Sequence, residues 1–319
     1  GAFYSAKNPI LDENVARQLY GNKENIGITR LERFAACAYS QFLNNGLKLG
    51  ERKKFELAAF DIGNLYHSAI KDFFDTINTN NIKWAVLDDK ISENIINDSI
   101  EKVMEQYEND ALNDIARSAF IKKQVKDTST ETVNALVKHI RSGNFLPREY
   151  ELRIAHGRVD RVDTFEDGNN IYVKVIDYKS GNKVFNVTET FLGLQMQLMV
   201  YLKDTVDYIK KNNPDKNVYP AAGLYFHVYD PYVSEIDCEK AVSDFRKKNP
   251  DSELSDEELK KMAIEKERFK AYRMSGLVAK EIEIVNAMDH NTITKTGSSA
   301  ILPVNITKSG VDARSTAIE

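Results

Sequence analysis

Residues 157–181, GRVDRVDTFEDGNNIYVKVIDYKSG, constrain the possible fold of this chain more than any other stretch. The apolar run at 173–176 is typical of a buried strand, which ends at a Ser-Gly pair, and the GRVD tetrapeptide begins a second strand. Each strand carries an acid, Asp160 on the first and Asp177 on the second. Alternate residues of a strand share a face, so Lys179 lies on the same face as Asp177. The sequence therefore predicts adjacent strands that bring two carboxylates and a lysine together.

Two neighbouring carboxylates repel each other unless a cation lies between them. Hard oxygen ligands select magnesium or manganese, and such a metal beside a lysine suits phosphodiester hydrolysis. Asp-x-Lys alone occurs by chance in most proteins of this size, so a strand that ends in a charged turn is the alternative interpretation. The strand patterns on both sides favour a metal-dependent nuclease site.

Four motifs in this order resemble the RecB-type branch of the PD-(D/E)XK nucleases. That branch has Gly-x-x-x-His on a helix, then Gly-x-hydrophobic-Asp, Asp-x-Lys, and Gln-x-x-x-Tyr on the next helix. The matching residues are, in order, Gly63 and His67, Gly157 and Asp160, Asp177 and Lys179, and Gln197 and Tyr201. The resemblance implies an α/β fold, in which a small mixed β-sheet flanked by many helices forms a restriction-endonuclease-like core.

The resemblance also implies a set of metal ligands. These are His67, Asp160, Asp177 and the backbone carbonyl of Tyr178, which together hold magnesium, with manganese as a substitute. Gly63, one turn before the histidine, leaves space there for ligand or substrate. Taken alone, a histidine beside an apolar helix stripe is more typical of a partly buried structural residue.

The remaining site residues are assigned to the reaction and to DNA. By resemblance, Lys179 orients the attacking water and stabilises the transition state, while Gln197 and Tyr201 position the phosphate or the lysine. A tyrosine and a glutamine on one helix face are otherwise typical of packing. Arg158 and Arg161 flank the first aspartate, and each is either a surface ion pair or a phosphate contact.

Longer stretches resemble one family within that branch, the C-terminal nuclease domain of AddB-type subunits of bacterial AddAB (RexAB) helicase-nucleases. The resemblance covers roughly residues 26–319 and rests on ITRLERFAACAYSQFLNNGLKLGER, AAGLYFHVYDPYV and YRMSGLVAKEIEIVNAMD. It implies a DNA exonuclease domain that acts on single strands at unwound double-strand break ends during recombinational repair, with an AddA-like helicase-nuclease partner. A stand-alone RecB-like exonuclease of the CRISPR-associated type and a non-catalytic DNA-binding scaffold are the alternatives.

The two cysteines bear on an iron-sulfur cluster. Cys37 lies where AddB-type subunits have one cluster ligand, but the three other family ligands have no counterpart here, and Cys238 lies elsewhere. A cluster needs about four thiolates. We therefore expect a cluster in the full-length protein but not in this chain, which is either a domain truncated before those ligands or a lineage without them.

Composition predicts a soluble, cytoplasmic protein. The chain has 319 residues, of which 42% are hydrophobic, and no apolar run approaches the length of a membrane span. Two cysteines fit a reducing compartment. A formal charge of -4 argues against a uniformly basic DNA-coating protein. No P-loop motif occurs, so motor activity is assigned to a partner or to other regions.

We expect four regions: a loose segment at 1–25, a helical region at 26–150 with the Cys37 and His67 helices, the α/β nuclease core at 151–235, and a helical and extended part at 236–319. Strands are predicted at about 151–164, 171–178 and 221–228, with a long helix at about 188–212. Thr29 with Glu32, and Ser255 with Glu258, have the spacing of capping boxes that begin helices.

Overall fold

A mixed β-sheet organises the fold seen in a computed structural model, which describes residues 12–21, 26–50, 59–111, 115–248, 254–290, 301–303, 306–307, 310–311 and 317–318. The strands are β1 (Leu146–Ile154), β2 (Gly157–Asp167), β3 (Asn170–Lys179), β4 (Asn217–His227), β5 (Ser275–Ala279), β6 (Ile306–Thr307), β7 (Gly310–Val311) and β8 (Ala317–Ile318). The main sheet has the order β1-β2-β3-β4-β5-β8, and β6 pairs with β7 separately. β3 with β4, and β5 with β8, are the parallel pairs of the main sheet; its other neighbours are antiparallel.

Helices cover both faces of this sheet. They are α1 (Glu13–Tyr20), α2 (Ile28–Ala36), α3 (Ala38–Gln41), α4 (Ala59–Thr79), α5 (Asp89–Ala111), α6 (Ile115–Arg141), α7 (Val187–Phe191), α8 (Gln197–Asn212), α9 (Glu235–Lys248), α10 (Asp256–Ala271) and α11 (Ile282–Met288). No helix in the described ranges combines the length and the apolar character needed to cross a membrane.

Two apolar cores lie on opposite faces of β3. Val173 and Val175 belong to the core that α2 and α8 help to form, whereas Ile176 and Tyr178 belong to the core beneath α4, α5 and α6. Side chains alternate between the faces of a strand. Asp177 therefore continues the face of Val175, on the α8 side of the sheet.

The α/β fold and the mixed sheet are confirmed, but several boundaries differ from the prediction. The stretch predicted as one strand at 151–164 is the end of β1 joined by a tight turn to most of β2, and β1 starts at Leu146, before the predicted core. The helix predicted at 188–212 is divided into α7 and α8. β5 was not predicted and lies in the C-terminal region, although it pairs with β4.

The N-terminal helices also differ from the prediction. Residues 1–25, expected to be loose, include helix α1. The helix expected from Thr29 to about Gly46 is broken at Cys37 into α2 and α3, followed by a π-helical turn. Its predicted capping box is wrong, because Gly27 is the N-cap and provides no side-chain hydrogen bond. The Ser255–Glu258 capping box of α10 is confirmed.

Candidate active site

A cavity of about 580 Å³ opens where α4 and the start of α8 meet the ends of β2 and β3. It is lined by Thr29, Gly63, Asn64, His67, Arg158, Asp160, Asp177, Tyr178, Lys179, Ser180, Gly181, Asn182, Lys183, Gln197 and Tyr201. The fold thus brings the four predicted motifs, which are far apart in sequence, to one cavity.

Asp160 is buried on β2 and fixed by its neighbouring strand. Its Oδ2 accepts a hydrogen bond of 2.7 Å from the backbone N–H of Tyr178 on β3, and its Oδ1 lies 3.4 Å from Nδ1 of His67. The antiparallel pairing of the two strands leaves this N–H available to a side chain at the end of the ladder. Asp160 therefore connects the sheet to α4.

Asp177 and Lys179 lie on one face of β3, as their spacing predicts. Nζ of Lys179 is ion-paired with Oδ2 of Asp177 and donates a 3.0 Å hydrogen bond to Oε1 of Gln197. Burial and the neighbouring charge of Asp160 raise the pKa of Asp177 to about 6, although Lys179 opposes this shift. Asp177 is therefore a carboxylate whose charge is unfavourable without a further cation.

His67 projects from α4 toward the same acids. Its ring contacts Tyr178 edge to face, with 5.8 Å between the ring centroids. Burial lowers the pKa of His67, but Asp160 and the charges of Asp177 and Glu151 outweigh this, so the pKa lies above its ordinary value. The histidine is only partly buried and faces carboxylates, which favours a role in the site over the structural alternative.

Gly63 lies one turn before His67 and also lines the cavity. A Cβ added there would lie 3.0 Å from Oγ of Ser180, the nearest atom. The space that this glycine leaves is therefore occupied in part by a side chain of the chain itself, rather than being reserved for a ligand as expected.

Glu151 is a fourth acidic residue that the sequence analysis missed. It lies on β1 with a left-handed backbone, φ 52°, between the pairs that join Tyr150 and Leu152 to β2. Burial and the charge of Asp160 raise the pKa of Glu151, while its ion pair with Arg158 opposes the shift. Its glutamate was inconspicuous because the motifs start only after the hairpin turn that follows it.

The donor atoms fit a divalent cation. One ligand atom each from His67, Glu151 and Asp160 lies within 4.8 Å of the others, the one such group of three among the described residues. One imidazole nitrogen with carboxylate oxygens suits magnesium or manganese. Asp177 is outside this group in the present arrangement, since its Oδ2 is paired with Lys179. The carbonyl of Tyr178 as a ligand stays a prediction.

Gln197 and Tyr201 form one turn of α8 facing the lysine. The backbone N–H of Gln197 donates a 2.9 Å hydrogen bond to Oε1 of Glu32 on α2, which explains why Glu32 does not cap its own helix. The Tyr201 hydroxyl contacts the side chain of Gln197 and the backbone of Arg158, and burial raises the pKa of this tyrosine. The pair therefore holds Lys179 between α8 and β3.

The two arginines beside Asp160 occupy different environments. Arg158 is exposed at the rim of the cavity. Arg161 is fully buried, so the expectation of a surface ion pair or a phosphate contact is wrong for this residue. Its guanidinium donates two 2.6 Å hydrogen bonds to Asp163, whose other partner is Lys174 at 2.9 Å. Arg161 therefore belongs to an internal ion cluster on the α4 side of the sheet.

The cysteines lie away from these groups. Cys37 is exposed at the junction of α2 and α3, where its Sγ accepts a hydrogen bond from the backbone N–H of Ser40, and Cys238 is buried on α9. Both are free thiols.

Comparison with known proteins agrees with this geometry. Residues 25–291 match the PD-(D/E)XK nuclease superfamily. The chain is similar to proteins named as subunits of an ATP-dependent helicase/deoxyribonuclease: it is 30% identical to that of Exiguobacterium sibiricum over 97% of its length, 31% to that of Alkaliphilus oremlandii over 97%, and 30% to that of Clostridioides difficile over 99%. The chain spans 27% of the length of each of these relatives.

Proposed function

Because the chain belongs to the PD-(D/E)XK nuclease superfamily, we propose that it is a metal-dependent deoxyribonuclease that hydrolyses phosphodiester bonds in the cavity between α4, α8 and the sheet. The observation that carries this proposal is the convergence of two groups. One is the donor set of His67, Glu151 and Asp160. The other is Lys179, held between Asp177 and Gln197 in the same cavity.

His67, Asp160 and Glu151, with Asp177 beside them, are the residues that would hold the cation. Magnesium or manganese bound there supplies charge neutralisation at the phosphate and activation of water. The chain itself contributes burial, which strengthens every electrostatic interaction in the site. It also contributes a fixed position for each acid, because Asp160 is bonded to the backbone of β3.

Lys179 is the residue best placed to act on the reacting groups. An ammonium has three N–H donors, and Asp177 and Gln197 take two of them. The third is left for the attacking water or for a phosphate oxygen on which negative charge develops. Gln197 orients the ammonium and is fixed by Glu32, so the donor is positioned before substrate arrives.

The finer proposal concerns the substrate and the assembly. The relatives are named as subunits of an ATP-dependent helicase/deoxyribonuclease, which supports DNA as the substrate and a helicase as the partner. We assign this chain the role of an exonuclease domain of an AddB-like subunit, which degrades single strands from unwound duplex ends in the cytoplasm beside an AddA-like subunit. Unwinding is assigned to parts outside this chain, which has no P-loop sequence.

A direct test uses the purified chain with fluorescently end-labelled single-stranded DNA. Magnesium or manganese should support cleavage, EDTA should stop it, and Asp160→Asn should be inactive while folded by circular dichroism. A circular single strand should resist the enzyme if it requires an end. Binding of DNA without cleavage in either metal would contradict the nuclease proposal and favour the scaffold alternative.

A further inference from the structure

Two arginines face each other at the outer edge of the sheet. Arg153 on β1 and Arg158 on β2 are direct cross-strand partners, and both are exposed. Like charges directly opposite each other destabilise a strand pair unless an anion lies between them. Position 153 was not singled out in the sequence, because its partner becomes apparent only from the register of the hairpin.

The charge balance of this edge favours an anion. A second cavity of about 450 Å³ is lined by Asn64, His67, Ser68, Lys71, Tyr150, Glu151, Arg153 and Arg158. Of its cations, Arg158 is ion-paired with Glu151, and Lys71 with Asp75. Within the described residues, Arg153 has no ion pair or side-chain hydrogen bond, so its guanidinium is free to bind a ligand.

The backbone that carries the two arginines is held on both sides. At the hairpin turn, the carbonyl of His156 accepts a 2.9 Å hydrogen bond from Ile28 of α2. Nδ1 of the same histidine lies 2.7 Å from Oδ2 of Asp204 on α8. The two guanidinium groups therefore project from a fixed segment, which lowers the entropic cost of binding.

We propose that Arg153 and Arg158 together bind a phosphate of the DNA strand next to the phosphate that is cleaved. The two cavities share Asn64, His67 and Arg158. A strand whose reacting phosphate lies at the metal-binding residues thus continues into the second cavity, where the next phosphate meets the arginines. The planar guanidinium suits phosphate oxygens because it donates two parallel N–H bonds. This inference rests on the proposed nuclease function.

The test measures binding separately from cleavage. Fluorescein-labelled oligothymidylate is titrated with the chain in EDTA, and fluorescence anisotropy gives the Kd at several salt concentrations. Arg153→Ala should raise the Kd about three- to tenfold and make the plot of log K against log salt shallower by about 0.7, the value for one phosphate contact on a single strand. Arg153→Lys should keep the slope but not the full affinity, because the charge stays while the paired donors are lost.

Arg148→Ala is the matched control. Arg148 lies on the same strand and is exposed, but it pairs with Glu166 at the opposite end of the hairpin, 3.3 Å away. It should bind like the parent, and all three variants should keep the melting temperature. The proposal is overturned if Arg153→Ala keeps the parent Kd and slope, if Arg148→Ala loses as much, or if the parent does not bind. A parent that binds but does not cut in magnesium contradicts the nuclease function alone.

Discussion

Three buried or half-buried carboxylates, Asp160, Asp177 and Glu151, lie within one small region, and two cations of the chain are paired with two of them. Neighbouring carboxylates in a poorly solvated site raise each other's pKa. The raised pKa values of Asp177 and Glu151 follow this rule. At the scale of single residues, the site is therefore built to accept positive charge, and its acids and its lysine have separable roles.

Lys179→Met should lower kcat by about two to three orders of magnitude, because a donor placed for developing charge is lost. The magnesium concentration for half-maximal activity should change little, since the lysine is not a ligand. Lys183→Met is the matched control: Lys183 lies over the Tyr225 ring at 5.3 Å, as Lys179 does at 5.5 Å, but it forms no ion pair with Asp177. Steady-state kinetics would contradict the assignment if both variants lost kcat equally.

Glu151→Gln should raise the magnesium requirement for half-maximal activity about tenfold or more, because one oxygen donor of the group becomes neutral. Glu149→Gln, two residues earlier on the same strand and outside both cavities, should leave it unchanged. Magnesium titrations of initial rate give the comparison. If Glu151→Gln titrates like Glu149→Gln, Glu151 serves only to neutralise Arg158.

At the scale of elements, the two capping predictions show how far local sequence reasoning reaches. Ser255 and Glu258 satisfy each other because α10 begins on the surface, where no distant group competes. Glu32 has the same spacing from Thr29, but its carboxylate accepts from Gln197, 165 residues away. A local pattern predicts a local bond, and it fails where tertiary contact offers a better partner.

The hairpin of β1 and β2 gives the same lesson for the site. Motif spacing predicted Asp160, Asp177 and Lys179 on neighbouring strands, and this is confirmed by the sheet. It did not predict Glu151 or Arg153, since both depend on the register of β1 against β2, which a tight turn sets. Arg161 was misassigned because a charged residue between two apolar positions looks exposed until its buried partners are known.

Gly157→Ala should damage the site through packing. Gly157 opens β2, and a Cβ there would lie 2.6 Å from the hydroxyl of Tyr201. We expect a loss of about 1–3 kcal/mol in unfolding free energy, with reduced activity because Tyr201 is displaced from Gln197. Gly50→Ala, where a Cβ meets no atom within 4 Å, is the control. Urea unfolding that shows equal stability for both variants would contradict this close approach.

For the whole molecule, the site joins elements that are far apart in the chain. The candidate ligands come from α4, β1 and β2, while Asp177 and Lys179 lie on β3 and Gln197 on α8. Four sequence motifs predicted most of this set, but only the fold shows that the acids depend on one another. A cation bound there would connect α4 to the sheet and bind the folded state alone, so it should stabilise the whole chain.

The final prediction is that this stabilisation depends on pH. Asp177, Glu151 and His67 all have raised pKa values, so the folded metal-free site binds more protons than the unfolded chain. Their contribution to stability is present at low pH and is lost as pH rises through the folded-state values, about 6 for Asp177. His139 has the opposite effect, since burial places its pKa well below the ordinary value and folding excludes its proton. Total stability therefore mixes two trends, and a difference measurement is needed.

Magnesium provides that difference, because His139 is unaffected by metal. At pH 8 the acids are ionised and repel each other, so magnesium should raise the melting temperature clearly; at pH 5 it must displace the proton of Asp177, and the rise should be small. Asp177→Asn should stabilise the metal-free chain at pH 8 by on the order of 3 kcal/mol, the equivalent of the shift from 3.8 to about 6, and should lose most of the response to magnesium. Equal magnesium shifts at both pH values, or a metal-free Asp177→Asn variant less stable than the parent at pH 8, would mean that Asp177 is held in place by Lys179 rather than strained by its neighbours.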